Sequence, residues 1–202
     1  ETAYMSNVLV YLLYGSDSLL GLPPTLITKK YSNYYFEYYP NESIESVNEG
    51  RAVPLAVGDC DTLQDPRRGV TPEIVESRME DLRLMDTFMA EFASHEHDGY
   101  YLPEHVIVLV SPHTFSAGYT MMRYLYWSGA ELAGTPSGQA GNCFGDILRF
   151  TLPNTGLTGT VSHKRYVDFP DDPELGRAIP MDHPLTYEKL RGWGFDANAE
   201  VW

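Results

Sequence analysis

The sequence predicts a single α/β domain with a mostly parallel sheet and a β-hairpin near its C-terminus. Residues 105–110, HVIVLV, show no alternation of polar and apolar side chains, so we expect a strand buried on both faces, as in a parallel sheet covered by helices. A helix over 116–127 and a short strand over 131–134, ELAG, complete a strand–helix–strand crossover. With 202 residues and 43% hydrophobic content, the chain can bury one sizeable core but is short for two domains.

Composition argues against several classes of partner. The chain has 14 Lys and Arg against 28 Asp and Glu, a net charge of -14 at pH 7, which repels nucleic-acid phosphates and anionic lipids. We therefore expect no nucleic-acid partner. No stretch approaches the roughly 18 consecutive apolar residues of a membrane helix, so no membrane span is expected. Cys60 and Cys143 lack the spacing of metal ligands, and neither a metal nor another cofactor is predicted.

The first 39 residues predict a helix followed by extended structure. In ETAYMSNVLVYLLYG the apolar residues fall on one helical stripe, and Gly15 is expected to end the helix. The residues of this stripe are Met5, Val8, Leu9, Leu12 and Leu13. Residues 25–39, TLITKKYSNYYFEYY, are rich in β-branched and aromatic side chains and favour a strand, with a short helix as the alternative for the tyrosine run.

The middle of the chain predicts a loop and then a helix. Residues 41–70 mix Pro, Gly, Asn and Asp with few apolar pairs, which indicates a long loop or lid insertion. Thr71, Pro72 and Glu73 then supply an N-cap, an N1 proline and an acidic first turn. The apolar residues that continue at helical spacing are Val75, Met79, Leu82, Met85, Met89 and Phe92.

The C-terminal third predicts the hairpin. Residues 147–166 contain two strand patterns separated by the turn sequence Pro153–Gly156. The tail from Pro170 is rich in Pro and Asp, and we expect Trp193 and Trp202 to pack back onto the body of the protein.

One serine stands where the buried strand passes into the next helix. In SPHTFSAGYT, Ser116 opens the predicted helix, so the amides of Ala117 and Gly118 lack intrahelical partners and face incoming negative charge. A nucleophilic serine needs such donors and an exposed hydroxyl on a rigid turn. Thr114, however, occupies the first glycine position of a G-x-S-x-G elbow. From local sequence, a helix N-cap is the more common role for this serine.

Three segments, VIVLVSPHTFSAGYTMMRYL, GAELAGTPSGQAGNCFGDILRFTLPNTGL and ELGRAIPMD, occur in an order that resembles the S41 peptidases, the tail-specific or C-terminal processing family. The resemblance covers roughly residues 104–184, and NVLVYLLYG is similar to an earlier helix of the family; residues 25–70 match no part of its pattern. It implies a ClpP/crotonase-like spiral of βα units and a serine endopeptidase that cleaves extended polypeptide through an acyl-enzyme.

The resemblance also implies site residues. Ser116 becomes the nucleophile and the amide of Ala117 an oxyanion donor, with Gly118 beside it. Family members with a Ser/Lys dyad carry the lysine in the loop that here reads GTPSGQAGN, where Gln139 and Ala140 stand instead. The lysines of this chain, at 29, 30, 164 and 189, do not align with that position, so a Ser/Lys dyad is not expected.

The tricorn-like subset of the family uses Ser, His and Glu, which implies that Glu174 orients the base. The alternative for Glu174 is a solvated acid beside Asp171 and Asp172. In that subset the histidine lies upstream of the segments matched here, so we expect an N-terminal chain of the same precursor to supply it as a partner. Whether the chain forms a homo-oligomer is left open, and family habit implies a secreted or periplasmic location.

Other histidines are weaker candidates for the base or for a metal. His113 lies three residues before Ser116, although a histidine at a strand end usually bonds locally. The sequence HEHD, at 95–98, has a spacing that can bind a metal on an extended loop, but a solvated helix end is the more common form of such a cluster.

Two other functions stay open. The same fold is used by non-catalytic proteins that bind apolar ligands or protein partners, and the many tyrosines and methionines suit such a surface. An acyl hydrolase on the related crotonase-like fold is the third candidate.

Overall fold

The structure, a computed structural model, describes residues 2–15, 21–64 and 103–195, together with residue 18 and seven positions between 76 and 87. The helices are α1 (Thr2–Tyr14), α2 (Asn33–Tyr38), α3 (Ile44–Asn48), α4 (Ala117–Trp127), α5 (Pro173–Arg177) and α6 (Tyr187–Gly192). The strands are β1 (Leu26–Lys30), β2 (Cys60–Gln64), β3 (Ile107–Val110), β4 (Glu131–Gly134), β5 (Cys143–Thr151), β6 (Thr158–Val167) and β7 (His183–Pro184). The fold is mixed α/β with one parallel and one antiparallel sheet, so the predicted class is confirmed at this level.

The contacts of the chain divide it into two compact units, where the sequence predicts one domain. The first unit contains the described residues of Glu1–Leu22, Val70–Ala140 and Ala178–Trp202, and the second those of Pro23–Gly69 and Gly141–Arg177. Each unit is assembled from segments that are distant in the chain. The sequence therefore lacks the usual signal of a domain boundary, which is a single exposed linker between two continuous segments.

The first unit contains the parallel sheet. Its strand order is β3-β4-β7, with Ile107 opposite Glu131 at the start of the first pair and Ala133 opposite His183 in the second. α4 connects β3 to β4, so the predicted strand–helix–strand crossover is confirmed. A crossover of this kind places the ends of both strands at the same edge of the sheet.

The core of this unit is formed by α1, α4 and the sheet. α1 packs against α4, and Val8, Val10 and Leu125 are buried between these elements. Of the predicted apolar stripe, Val8 is buried and Leu9, Leu12 and Leu13 pack beside it, whereas the Met5 side chain lies outside the described part. Gly15 ends α1 as predicted, with φ +83° and its N–H donating to the Tyr11 carbonyl at 2.9 Å.

One face of β3 is open, which corrects the prediction of two buried faces. Ile107 and Leu109 are 57% and 60% exposed, whereas Val110 is buried. β3 is one of the two outer strands of the described sheet, and the helices that cover this sheet cover one side of β3. A continuous apolar run specifies a strand, but it does not specify how many layers pack on it.

The second unit contains an antiparallel sheet of four strands in the order β2-β1-β6-β5. β5 and β6 form the predicted hairpin around Pro153–Gly156. Gly156 adopts φ +68° and donates its N–H to the Leu152 carbonyl at 2.9 Å, and the Leu152 N–H donates to Leu157 at 2.8 Å. Glycine is favoured at this position because it takes a positive φ without steric cost.

Residues 25–64 are more structured than the sequence predicts. The stretch 25–39 splits into β1 and α2 at Ser32, whose side chain caps α2, so both readings of this stretch are partly right. Within 41–64, Ser43 opens α3 with a capping box, and β2 pairs with β1 in the sheet. The prediction of a loop is therefore wrong over α3 and β2, whereas residues 49–59 form no helix or strand. The strand character of CDTLQ comes from its partner β1 and not from its own weak pattern. Residues 65–70 lie outside the described part.

Two other predictions fall partly outside the described residues. The helix predicted from Thr71 to Phe92 has seven described positions, and all seven are helical. In the tail, Trp193 is half-buried after α6, whereas Trp202 is not described. No helix in the described ranges combines the length and the apolar character needed to cross a membrane.

Asn142 joins three segments of the second unit. Its side-chain oxygen accepts hydrogen bonds from the N–H groups of Asp168 and Phe169 at 3.1 and 3.2 Å, and its Nδ2 donates to the Phe169 carbonyl at 3.0 Å. Its own N–H donates to the carbonyl of Gly176 at 2.8 Å. A Cβ on Gly176 would overlap the Asn142 side chain, so this glycine is required by close packing.

We expect Gly176→Ala to lower the free energy of unfolding by roughly 2 kcal/mol, because the added methyl group displaces the Asn142 side chain and its three hydrogen bonds. Urea unfolding monitored by circular dichroism measures the change. Gly192→Ala is the matched control, since a Cβ there meets nothing within 4 Å. Equal stability of the two variants would contradict the role assigned to Gly176.

His163 is buried among aromatic rings of the second unit. Its Nδ1 lies 2.5 Å from the carbonyl oxygen of Asp146, so Nδ1 carries the proton and donates. The rings of Tyr35 and Tyr39 lie 5.2 and 6.1 Å from the imidazole, centroid to centroid. Burial lowers the pKa of His163 below its usual 6.5 and outweighs the opposite effect of the bond to Asp146.

The folded state disfavours protonated His163, so neutral His163 stabilises the fold fully above the ordinary histidine pKa, about 6.5. This stabilisation is lost as the pH falls below that value, because the unfolded chain then binds the proton more readily. We expect His163→Gln to lose less stability than the wild type between about pH 7 and pH 5. Urea unfolding at several pH values measures this difference. His113→Gln, which removes an exposed imidazole, should keep the wild-type decline, and the same decline in His163→Gln would contradict the prediction.

Candidate active site

Two loops meet where β3 and β4 end. The chain leaves β3 through Ser111–Ser116 and leaves β4 through Thr135–Ala140, and the ends of parallel strands are where open α/β sheets bind ligands. The Thr135 N–H donates to the Val110 carbonyl at 3.1 Å. A Cβ on Gly134 would overlap that carbonyl, and one on Gly138 would overlap the carbonyl of Pro112. The glycines therefore allow direct contact between the two backbones.

A tight turn fixes the chain before Ser116. The N–H of Ser111 donates to Thr114 Oγ1 at 3.1 Å, and the N–H of Thr114 donates back to the Ser111 carbonyl at 2.9 Å. The N–H of His113 donates to Ser111 Oγ at 3.2 Å. Thr114 thus closes the turn through its side chain, a bond that glycine at this position of an elbow could not make.

Ser116 itself is strained and exposed. Its backbone has φ +54° and ψ -116°, a conformation that costs a residue with a Cβ about 1–3 kcal/mol. Its side chain makes no hydrogen bond to the first turn of α4, so it occupies the N-cap position without capping the helix. The helix-cap interpretation is therefore wrong for the hydroxyl, which is held on a sharp strand-to-helix turn.

The two predicted oxyanion donors differ in whether their N–H groups are already bonded. The N–H of Gly118 donates to the Phe115 carbonyl at 3.0 Å, so it is already used, and the prediction for Gly118 is corrected. The amide of Ala117, by contrast, has no acceptor within the part of the chain that the structure describes. It lies at the N-terminus of an 11-residue helix, where the dipole favours negative charge.

Gln139 contacts Ser116 directly. Its Oε1 accepts a hydrogen bond from the N–H of Ser116 at 2.7 Å. The carbonyl of Gln139 accepts from Ser137 Oγ at 2.7 Å, which fixes the loop after β4. Sequence reasoning noticed Gln139 only as the residue in place of a lysine. The rule that sites form where parallel strands end is the signal that could have found it.

The other predicted residues are not joined to Ser116 by a described contact. Among the described residues, no histidine or carboxylate makes a hydrogen bond with the Ser116 hydroxyl, and the imidazole of His113 is exposed. Glu174 is exposed at the start of α5 in the second unit, where Asp172 accepts its N–H at 3.1 Å. Its pairing with a base stays a prediction. Residues 95–98 lie outside the described part.

Two acid–histidine contacts in the described part of the first unit involve Glu131 and lie away from this edge; in one of them His105 Nδ1 is 3.8 Å from Glu131 Oε1. His183 Nε2 is 2.5 Å from Glu131 Oε2, and Glu131 is the first residue of β4, at the end of the strand opposite to the loops. In the described ranges, no three His, Cys, Asp or Glu side chains form a cluster that could hold a metal ion. Besides the side chains that fix the two loops, the structure thus brings Ser116, the Ala117 amide and Gln139 together at the strand ends.

Comparisons with models of known protein families, with curated proteins and with solved structures give no match to this chain. Any functional conclusion must therefore come from the residues and the geometry at the ends of β3 and β4.

We expect Ser116→Gly to be more stable than Ser116→Ala by about 1 kcal/mol, because glycine relieves the positive φ that alanine retains. The order should reverse at Ser128, which has φ -85° at the end of α4, so Ser128→Gly and Ser128→Ala are the control pair. Urea midpoints of the four variants measure both differences. A lower midpoint for Ser116→Gly than for Ser116→Ala would mean that Ser116 is not strained.

Proposed function

We propose that this chain is a serine hydrolase of the tail-specific peptidase type, with Ser116 as nucleophile and a ClpP/crotonase-like arrangement of its βα units. The observation that carries the proposal is the exposed hydroxyl of Ser116, held on a positive-φ turn between β3 and α4 and not used as a helix cap. Strain of this kind clusters at functional sites. The order of motifs from residue 104 to 184 supports the choice of family.

In the proposed reaction, the Ser116 hydroxyl attacks the carbonyl carbon of a peptide bond while a base takes its proton. The carbonyl electrons move to the oxygen, and the Ala117 N–H stabilises the resulting oxyanion. Collapse of the tetrahedral intermediate breaks the C–N bond, and the amine leaves with the proton from the base. Water then hydrolyses the ester on Ser116. We propose that the base is a histidine, as in the Ser/His/Glu subset that the motifs resemble.

An extended polypeptide is the substrate that fits the first unit best. β3 is one of the two outer strands of its described sheet and leads directly into the loop of Ser116, so an added strand would run toward the nucleophile. Ile107 and Leu109 present exposed apolar side chains on β3, and Phe115 is exposed beside Ser116. Backbone hydrogen bonds would supply affinity with little demand on substrate sequence.

The proposal predicts that a fluorophosphonate probe labels the native protein once, at Ser116, because the probe needs an activated hydroxyl and an oxyanion donor. Mass spectrometry of the intact chain and of its peptides locates the label. Ser116→Ala should abolish labelling, and Ser128→Ala should leave it unchanged.

Labelling at other serines, or none, would contradict the proposal and favour a non-catalytic binding protein of the same fold. Cleavage of p-nitrophenyl esters without cleavage of an unfolded protein substrate would instead favour the acyl hydrolase.

A further inference from the structure

The oxyanion site at Ser116 lacks a second backbone donor on its own turn. The N–H of Ser116 is taken by Gln139 Oε1 at 2.7 Å, and the N–H of Gly118 by the Phe115 carbonyl at 3.0 Å. Of the described N–H groups of Ser116, Ala117 and Gly118, that of Ala117 is the one left without an acceptor. A tetrahedral oxyanion in an acyl-transfer enzyme is stabilised by several aligned donors, so one amide leaves it incompletely satisfied.

The Gln139 side chain carries two N–H donors next to the acceptor that binds Ser116. Because Oε1 faces the Ser116 amide, Nε2 of the same planar group lies about 2.2 Å from Oε1, at the edge of the same turn. Its two N–H bonds have no acceptor among the described residues. The amide of one glutamine can therefore accept from the nucleophile's backbone and donate to an adjacent oxygen.

The loop that carries Gln139 is fixed in position. Gly138 lies against the carbonyl of Pro112 so closely that a Cβ would not fit, and Ser137 Oγ donates to the Gln139 carbonyl at 2.7 Å. A donor held by backbone contacts costs little reorganisation when charge develops, and this is the condition for effective oxyanion stabilisation.

We propose that Gln139 Nε2 is the second oxyanion donor of this site, acting together with the Ala117 N–H. The proposal rests on the proposed serine hydrolase function. Gln139 donates a hydrogen bond to the carbonyl oxygen as the bond from Ser116 Oγ forms, and it transfers no proton. The residue in the place of the family's lysine thus stabilises the transition state and does not act as a base.

Gln139→Glu tests this role, because glutamate keeps the acceptor for the Ser116 N–H but has no donor when ionised. We expect the urea midpoint to stay unchanged and the rate of fluorophosphonate labelling to fall about 100- to 1000-fold, as for the loss of one oxyanion donor. The deficit relative to wild type should shrink as the pH falls toward the ordinary glutamate pKa, about 4.3, because the neutral acid regains an O–H donor. Ser128→Ala should label at the wild-type rate throughout.

A measurement on the wild-type protein is independent of the variant's folding. When Ser116 carries the phosphonyl group, a side-chain amide proton of Gln139 should shift downfield in the NMR spectrum, because the phosphonyl oxygen accepts its hydrogen bond. Two results would overturn the role of Gln139 alone, provided that the wild type is labelled at Ser116. One is an unchanged Gln139 resonance after labelling, and the other is a labelling rate of Gln139→Glu equal to that of the wild type at every pH. Failure of the wild type to label at Ser116 would overturn the proposed hydrolase and this inference together.

Discussion

The candidate site depends on the parallel pairing of β3 with β4. This pairing brings the loops after the two strands together, although Ser116 and Gln139 are 23 residues apart in the chain. Gly134 and Gly138 are essential to it, because a Cβ on Gly134 would overlap the Val110 carbonyl at the end of β3 and one on Gly138 the carbonyl of Pro112 in the following loop. Without this backbone contact, the Gln139 amide could not reach the Ser116 N–H, and the turn would lose the bond that opposes its strain.

Backbone strain at a positive φ has different consequences at Asp146 in the second unit and at Ser116 in the first. Asp146 also has a positive φ, +51°, but its strain is offset because its carbonyl accepts from His163 and its carboxylate lies 2.5 Å from Lys164 Nζ. At Ser116 the hydroxyl gains no such partner among the described residues, and the hydrogen bond that the Ser116 N–H donates to Gln139 Oε1 holds only the backbone. The conformation of Ser116 therefore presents an exposed hydroxyl instead of satisfying a local contact, which is what a nucleophile requires.

Gln139 shows how a site can depart from the pattern of a family it resembles. A lysine in this loop would reach the serine with a point charge and could act as a base, whereas an amide cannot take up a proton at neutral pH. The amide can, however, both accept and donate, and here its acceptor orients the nucleophile's backbone. The proton transfer in the proposed reaction must then come from another group, which accords with a base of the Ser/His/Glu type.

Local sequence determined the elements that are encoded by a short run of neighbouring residues. These are α1 with its terminal Gly15, the strand–helix–strand crossover and the hairpin around Pro153–Gly156. Tertiary structure decided what depends on distant partners. β2 became a strand because β1 pairs with it, one face of β3 stayed open, and interleaved segments formed two units. The candidate site divides in the same way. The sequence predicted Ser116 and Ala117 as site residues, whereas the hydrogen bond of the Gly118 N–H and the contact of Gln139 depend on backbone geometry and strand pairing, which no local periodicity encodes.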